Sequence, residues 1–333
     1  MDRMDFTQGV VRTRVLEKRL LSRAQIDRMI DSDSIEEVFR ILGETEYASE
    51  ASKVQNFYNY EKVLSNELIR VYHLMREISA DQKVIDLLTL KYDYHNLKVM
   101  IKEKELNEDF SYLYLSVGED DFKEIKKLFL EGNLNEMKKE YQEAVEAVLK
   151  DFAQSKDPGR IDMILDRFYF KQLNQLAADT EIPLFIDYVK DMIDFINVKT
   201  IIRLKKQGRN RSLMEEVILS GGNIDKESLL LVINDSVEEM MQKLKNYRIS
   251  TSLLKGLESY EKTNRLTDFE KYMDDYLMNL NKSSKYITFG PEPIFSYIVA
   301  KETEIKNLRI IMVSKTNGIS PEAIRERVRD LYV

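Results

Sequence analysis

The chain has 333 residues, of which 33% are charged and 43% hydrophobic, and it contains 11 glycines, 5 prolines and no cysteine. So few glycines and prolines leave little material for the many tight turns of an all-β protein, and the composition therefore predicts a mostly helical fold. The absence of cysteine excludes disulfides and thiolate metal sites. The net charge of −7 argues against a general binder of nucleic-acid phosphates.

No segment has the run of about 18 apolar residues that is needed to cross a bilayer. The N-terminal stretch MDRMDFTQGVVRTRVLEKRL is charged throughout and lacks the apolar core of a signal peptide. We therefore expect a cytoplasmic protein without a membrane span of its own. If it works at a membrane, another chain must hold it there.

Helical periodicity runs through the first third of the chain. Apolar residues at helical spacing predict helices over residues 10–21, 58–78 and 82–104. A further helix begins near Ser34, because Ser34 and Glu37 have the spacing of an N-terminal capping box.

The same periodicity continues to the end of the chain. It predicts helices through residues 125–129, 141–152, 161–173, 186–206, 229–244 and 266–280. A long helix follows the break at residues 289–293, and a short last helix is capped by Ser320 with Pro321 in its first turn.

One short pattern occurs three times, over residues 93–101, 194–202 and 304–312. An acidic residue is followed after two positions by Asn, then by Leu or Val, then by Lys or Arg, and after one more position by two residues drawn from Ile and Met. Its acidic, amide and basic positions are Asp93, Asn96 and Lys98; Asp194, Asn197 and Lys199; and Glu304, Asn307 and Arg309.

A second pattern recurs in the same order. A Leu-Ser pair, separated by three residues from an Ile-Asp pair, begins at Leu21 and at Leu219, and a looser copy begins at Leu115. Two unrelated patterns that recur together indicate a triplicated chain. The predicted helical repeats are residues 1–106, 107–209 and 210–333.

Asn96 shares a face of its predicted helix with Asp93 and Met100. A buried carboxamide that lacks hydrogen-bond partners costs about 1 to 3 kcal/mol. We therefore interpret each repeated Asn first as a packing device that pins its helix to a neighbouring backbone. The alternative is functional, with three related faces pointing into a shared central space.

The sequence contains no recognisable catalytic, cofactor or metal site. It has no glycine-rich phosphate loop, and its two histidines, His73 and His95, lie on separate predicted helices without ligand-spaced companions. The acidic run Glu119, Asp120 and Asp121 is typical of a solvated helix start. We therefore predict no enzymatic activity and no cofactor.

Two basic clusters contrast with the acidic composition. The first comprises Lys199, Arg203, Lys205, Lys206, Arg209 and Arg211, and the second comprises Arg325, Arg327 and Arg329. Solvated helix ends are the simpler interpretation. The functional interpretation is contact with an acidic partner, and its candidate residues, called here the 203–211 basic cluster, are Arg203, Lys205, Lys206, Arg209 and Arg211.

Three sets of residues together resemble the C subunit of V-type and A-type rotary ATPases, which is the d subunit of the eukaryotic enzymes. They are the three Asn motifs, the N-terminal VRTRVLEKRLLS with the downstream IEEVFRILGETEY, and the C-terminal TNGISPEAIRERV. LKYDYHNLKVMIK, at residues 90–102, is similar to the first internal repeat of that family. The likeness covers essentially the whole chain.

The resemblance implies an all-α fold of three homologous subdomains in a pseudo-threefold funnel with a central cavity. It implies a non-catalytic, single-copy rotor subunit, peripheral on the cytoplasmic face of the membrane. Its partners would be the membrane rotor ring and the D and F subunits of the central stalk, so that torque links ATP hydrolysis or synthesis to H⁺ or Na⁺ transport. The third motif departs from the other two with Glu304 and Arg309.

A soluble α-helical repeat scaffold unrelated to membranes is the alternative. It would share the triplication and the lack of a site, but such scaffolds typically repeat units of about 30 to 50 residues. An all-helical enzyme would need a convergent cluster of titratable side chains, and the sequence indicates none.

Overall fold

The computed structural model describes residues 2–118 and 122–333, and within these residues it contains helices and no β-strand. The all-α prediction is therefore confirmed. The acidic run at Glu119, Asp120 and Asp121 lies outside the described residues. The described helices are α1 Thr7–Glu17, α2 Arg23–Asp31, α3 Ile35–Leu42, α4 Ala48–Ala51, α5 Tyr60–Ile78, α6 Lys83–Leu106, α7 Phe122–Glu131, α8 Lys139–Ser155, α9 Pro158–Thr180, α10 Pro183–Lys206, α11 Arg211–Val217, α12 Lys226–Leu231, α13 Val237–Leu244, α14 Ser250–Thr263, α15 Leu266–Lys282, α16 Glu292–Thr316 and α17 Pro321–Arg327.

Two predicted helix starts are confirmed by their caps. The Ser34 hydroxyl accepts a hydrogen bond from the Glu37 N–H at 3.4 Å and begins α3. The predicted capping box is not completed there, because the Glu37 carboxylate accepts the N–H of Asp33 at 2.9 Å and not that of Ser34. Ser320 accepts one from the Ala323 N–H at 3.4 Å and begins α17. These caps could be predicted because each depends on residues only three apart.

The helix predicted at residues 10–21 is too long, because α1 ends at Glu17 and a separate helix, α2, begins at Arg23. Ser22 and Gln25 form the capping box that starts α2, with the Ser22 N–H donating to Gln25 Oε1 at 2.9 Å. Apolar periodicity continues across the break, since both helices bury one side, and it therefore concealed the boundary.

The helix predicted at residues 229–244 is likewise divided. α12 ends at Leu231, and a second capping box, formed by Ser236 and Glu239, begins α13. Helix α14 was not predicted from the sequence.

The described chain forms two compact units. The split unit combines residues 1–85 with residues 235–333, and the contiguous unit comprises residues 86–234. The division of the sequence into three repeats stays a prediction.

α16 is the central helix of the split unit. Every residue from Glu292 to Lys301 is buried, and a helix that is apolar around most of its circumference must be surrounded by other elements. α1, α5 and α15 pack against it. Its second half joins α2, α3 and α17 in one apolar core, which includes Met29, Leu42, Leu308 and Ile324.

The contiguous unit is built on consecutive helices with very short connections. α8, α9 and α10 are joined by residues 156–157 and 181–182, and α9 packs against both of its neighbours. Lys156 and Glu181 adopt left-handed backbone conformations, with φ of 51° and 59°, that end α8 and α9. Phe185 and Phe195 on α10 are buried in this unit.

Of the helices in the described part of the chain, none is both long enough and apolar enough to cross a membrane.

Candidate functional site

Each of the three repeated asparagines is buried and exchanges two hydrogen bonds with the backbone of one residue. The side-chain amide donates to that residue's carbonyl at 2.8, 2.9 and 3.0 Å in chain order, and the residue's N–H donates to the side-chain oxygen at 2.9, 2.8 and 2.7 Å. The pairs are Asn96 with Leu115, Asn197 with Leu219 and Asn307 with Arg329.

The geometry of the pairing explains why the position holds Asn. A carboxamide carries a donor and an acceptor in one plane, as a peptide group does, whereas an ionised carboxylate only accepts. The partner lies 19, 22 and 22 residues further along the chain in the three copies. Each Asn therefore fastens the segment that follows its own helix back onto that helix.

The acidic residue of the second motif fixes the same segment at another point. Asp194 accepts hydrogen bonds from the N–H groups of Asn223 at 2.9 Å and Ile224 at 3.0 Å. A Cβ at Gly222 would lie 2.0 Å from the Asp194 carboxylate, and one at Gly118 would lie 1.9 Å from that of Asp93. The two glycines are needed because the backbone passes too close for any side chain.

Burial raises the pKa of Asp194 to about 6, since desolvation of the carboxylate outweighs the hydrogen bonds that it accepts. Asp191, also buried, adds to the rise through charge repulsion.

The third motif uses its acid differently. Glu304 Oε2 accepts the N–H of Leu21 at 2.5 Å, and its other oxygen accepts the Tyr47 hydroxyl at 2.8 Å. The Leu-Ser pattern therefore has two structural roles, because Leu115 and Leu219 pair with Asn whereas Leu21 pairs with the acid.

A chain of alternating charges surrounds Glu304 inside the split unit. Lys301 Nζ lies 2.7 Å from Glu304 Oε1 and 3.1 Å from Glu67 Oε1, and the Lys301 and Glu67 side chains are each 1% exposed. Arg70 Nε donates to Glu67 Oε2 at 2.7 Å. The ammonium also lies over the Tyr47 ring, 4.6 Å from its centroid.

The shifted pKa values of Lys301 and Tyr47 keep both side chains in one protonation state at physiological pH. Burial alone lowers the pKa of Lys301, but the carboxylates of Glu304 and Glu67 outweigh it, so the net pKa is raised. Burial raises the pKa of Tyr47 well above its ordinary value and keeps the phenol protonated. Lys301 is therefore a cation and Tyr47 a neutral donor at physiological pH.

Lys301 and Glu67 were not predicted as site residues from the sequence. A usable signal existed, since Lys301 directly follows the apolar run at residues 294–300 and Glu67 lies between Leu64 and Leu68 of a predicted amphipathic helix. Charges on apolar helix faces are expected to be paired.

The basic positions of the motifs point away from the asparagines. Lys98 pairs with Asp166 at 2.6 Å, and Arg309 pairs with Glu61 at 2.8 Å. Lys199 is half-buried on α10.

The 203–211 basic cluster lies at the C-terminal end of α10 and the start of α11. Arg203, Lys206 and Arg209 are exposed, Lys205 is half-exposed, and Arg211 pairs with Glu215 at 2.8 Å. Cations at a helix C-terminus are stabilised by the helix dipole. In the second cluster, Arg325 pairs with Asp31 and the buried Arg329 pairs with Asp274 at 2.8 Å.

The structure does not bring the two histidines into a site. His73 is exposed on α5, whereas His95 on α6 lies with Nε2 2.9 Å from the Leu113 carbonyl oxygen. Within residues 2–118 and 122–333, no group of three or more His, Asp or Glu side chains is arranged to hold a metal ion.

A model of the ATP synthase (C/AC39) subunit family matches residues 10–327. The chain belongs to this family. The C subunit of the V-type sodium ATPase of Enterococcus hirae is 28% identical over 324 residues, which cover 97% of each protein. The C subunit of the A-type ATP synthase of Methanocaldococcus jannaschii is 28% identical, over 94% of this chain and 84% of that relative. Its counterpart in Archaeoglobus fulgidus is 26% identical, over 96% of this chain and 94% of the relative.

Asn96→Ala tests the pinning role of the repeated asparagine in this member of the C/AC39 family. It leaves the half-buried N–H and C=O of Leu115 without their side-chain partner, so we expect a loss of about 1 to 3 kcal/mol in unfolding free energy. Urea denaturation followed by circular dichroism measures this loss, and Asn135→Ala at an exposed position is the control. Partner affinity should be unchanged, and equal stability of the two variants would contradict the pinning role.

Lys301→Met should be strongly destabilising, because Glu304 loses its cation inside the core. Removing one member of a buried ion pair costs about 3 to 5 kcal/mol. The matched control is Arg309→Met, which breaks an exposed pair with Glu61 and should cost at most about 1 kcal/mol. Similar denaturation midpoints for both variants would show that the buried charges are not coupled to stability.

Asp194 makes the stability of the folded protein depend on pH, and its raised pKa gives the sign of this dependence. Its folded pKa, about 6, lies above the unfolded value of about 3.9, so its contribution to stability is greatest below about pH 4 and falls until about pH 6. Carboxyl ¹³C NMR should show this titration, and Asp194→Asn should remove that part of the decline. Asp225, whose pKa is lowered by the Ser228 N–H, is the internal control. A titration of Asp194 below pH 4 would refute the assignment.

Proposed function

We propose that the chain is a non-catalytic rotor subunit that couples the central stalk of a V-type or A-type rotary ATPase to the membrane rotor ring. Membership of the C/AC39 family carries this proposal. The C subunits of a V-type sodium ATPase and of an A-type ATP synthase match along nearly the whole chain. The proposed partners are the D and F stalk subunits and the ring, with one copy of the chain in each complex.

A non-catalytic role is supported by the surroundings of two buried groups whose pKa is raised. Lys301 and Tyr47 are buried, and both contact Glu304. A catalytic group must reach a substrate, whereas these three side chains satisfy one another inside the split unit. We infer a structural role for them.

A coupling role requires a body that does not deform under torque. Each paired asparagine holds one distant residue through two hydrogen bonds, and the buried charge chain joins Glu67 to Lys301. Close-packed protein interiors of this kind have low compressibility. We further infer that the three predicted repeats surround an axis, as the family resemblance implies, and that the protein is peripheral on the cytoplasmic face of the membrane through the ring.

The 203–211 basic cluster is our candidate for the joint with the stalk. It concentrates positive charge on a chain whose net charge is −7, and Arg203, Lys206 and Arg209 are exposed. An acidic stalk surface would be attracted to it at low ionic strength and less so at high salt, where exposed charges are screened.

Size-exclusion chromatography of the purified chain with a detergent-solubilised ring, and separately with the D and F pair, tests the proposed function. Co-migration with both supports the rotor adaptor. Failure of a folded chain to bind either would overturn it and favour the helical scaffold. Repeating both runs at low and high salt identifies the joint that depends on charge.

Charge reversal of Lys205, Lys206 and Arg209 to Glu should weaken stalk binding at least tenfold at low salt, because the attraction becomes repulsion. The matched control reverses Lys245, Lys255 and Lys262, which are exposed elsewhere, and so changes the net charge equally. Calorimetric titration with the D and F pair measures both. Equal loss of stalk affinity in the two triple variants would show that only the net charge of the chain matters, and it would reject the 203–211 basic cluster as the joint with the stalk.

A further inference from the structure

Residues 329–333, called here the strap, follow the end of α17 as an irregular segment. Side chains of two helices bond the first backbone groups of the strap. Asn307 on α16 exchanges its two hydrogen bonds with Arg329, and Asp275 on α15 accepts the N–H of Asp330 at 2.7 Å. The strap therefore lies as a peptide in a groove made of side chains, and it belongs to neither helix.

The Arg329 side chain is the first anchor of the strap. It is 8% exposed, and its Nε donates to Asp274 Oδ2 at 2.8 Å while Nη1 donates to the Arg327 carbonyl at 2.6 Å. The backbone contact with the motif asparagine does not depend on the side chain, since Asn96 and Asn197 pair with leucines. The preference for arginine therefore comes from Asp274, whose carboxylate matches a guanidinium.

Tyr332 is the second anchor of the strap and is 3% exposed. Its hydroxyl lies 2.8 Å from the hydroxyl of the buried Ser284 and donates to Glu17 Oε1 at 3.1 Å. Burial raises the pKa of Tyr332 to about 12, so the phenol stays protonated and remains a donor. Since Glu17 belongs to α1, the strap connects α1 with α15 and α16.

Release of the strap would break no helix. Val328, which directly precedes the strap, keeps its N–H bonded to the Ile324 carbonyl at 3.1 Å and its side chain in the core of the split unit. Within the strap, Asp330 and Val333 are exposed and Leu331 is half-buried. Opening of such a segment costs less than global unfolding, because only the contacts of the segment itself are lost. The groove would remain, since α1 and α15 each pack directly against α16.

We propose that the strap is releasable and that its groove is a binding site for a peptide with arginine followed, after two residues, by tyrosine, occupied here by the chain's own segment. Peptide sites commonly take affinity from main-chain hydrogen bonds and specificity from side-chain pockets. Asn307 and Asp275 supply the former, and Asp274 and Glu17 read the two anchors. The strap is thus autoinhibitory. The groove lies within the split unit, so its binding requires neither ring nor stalk.

The test lets a free peptide compete with the strap. The full chain with Arg329→Ala and Tyr332→Ala together keeps the groove but weakens the strap. The probe is a synthetic peptide of residues 329–333, acetylated so that its arginine keeps an amide N–H for Asn307. A control peptide has alanine at both anchor positions. Fluorescence anisotropy measures binding of each labelled peptide to the double variant and to the wild-type chain, and far-UV circular dichroism checks the fold.

We expect the peptide to bind the double variant at least about tenfold more tightly than the wild-type chain, because the intact strap competes from within the same molecule. The control peptide should bind neither protein. A folded double variant that does not bind the peptide, or that binds the control peptide equally well, would overturn the proposal.

Amide hydrogen exchange of the wild-type chain tests release of the strap without any substitution, and it decides the question even where the double variant fails to fold. After correction for intrinsic rates, the amides of Arg329 and Asp330 should exchange at least about a hundredfold faster than those of Ile311 and Met312, which are buried in the core of the split unit. Exchange of all four amides at one rate would show that the strap leaves only on global unfolding, and the proposal would be wrong.

Discussion

The rest of the structure depends on the paired hydrogen bonds between each repeated asparagine and one distant backbone residue. A buried carboxamide with both hydrogen bonds made is stable, whereas one with either bond missing is costly. The pairing therefore admits one position of the downstream segment on the motif helix. In the second copy the acid three residues earlier, Asp194, adds another anchor to the same segment, and two anchors on one helix face fix its direction as well as its position. In the third copy the corresponding acid, Glu304, holds a different segment at Leu21.

Local features of this fold were predictable from the sequence, and distant contacts were not. The helical class, the motif helices and the caps at Ser34 and Ser320 depend on neighbours within about four residues. The partner of Asn96 lies 19 residues away, where helical periodicity carries no information. Leu21 and Leu219 share a pattern, yet one pairs with an acid and the other with an amide.

For the candidate site, too, contacts between residues far apart in the sequence could not be predicted. Family membership follows from the ordered motifs, and the burial of the asparagines follows from their place on an apolar face. The buried charge chain requires the split unit, because Glu67 and Lys301 come from opposite ends of the sequence. The buried charge chain is tolerated in the core because each buried charge has an opposite charge within hydrogen-bonding distance.

The split unit also constrains the order of folding during synthesis. The helices of the contiguous unit, residues 86–234, come from one continuous stretch of chain. The apolar faces of α2 and α3, by contrast, are buried only after the second half of α16 has been synthesised. Domains usually fold from the N-terminus as they leave the ribosome. Here the middle of the polypeptide can finish first, and the N-terminal helices stay incomplete until nearly the whole protein has been translated. Chaperones that shield exposed apolar helices have their longest opportunity at this stage.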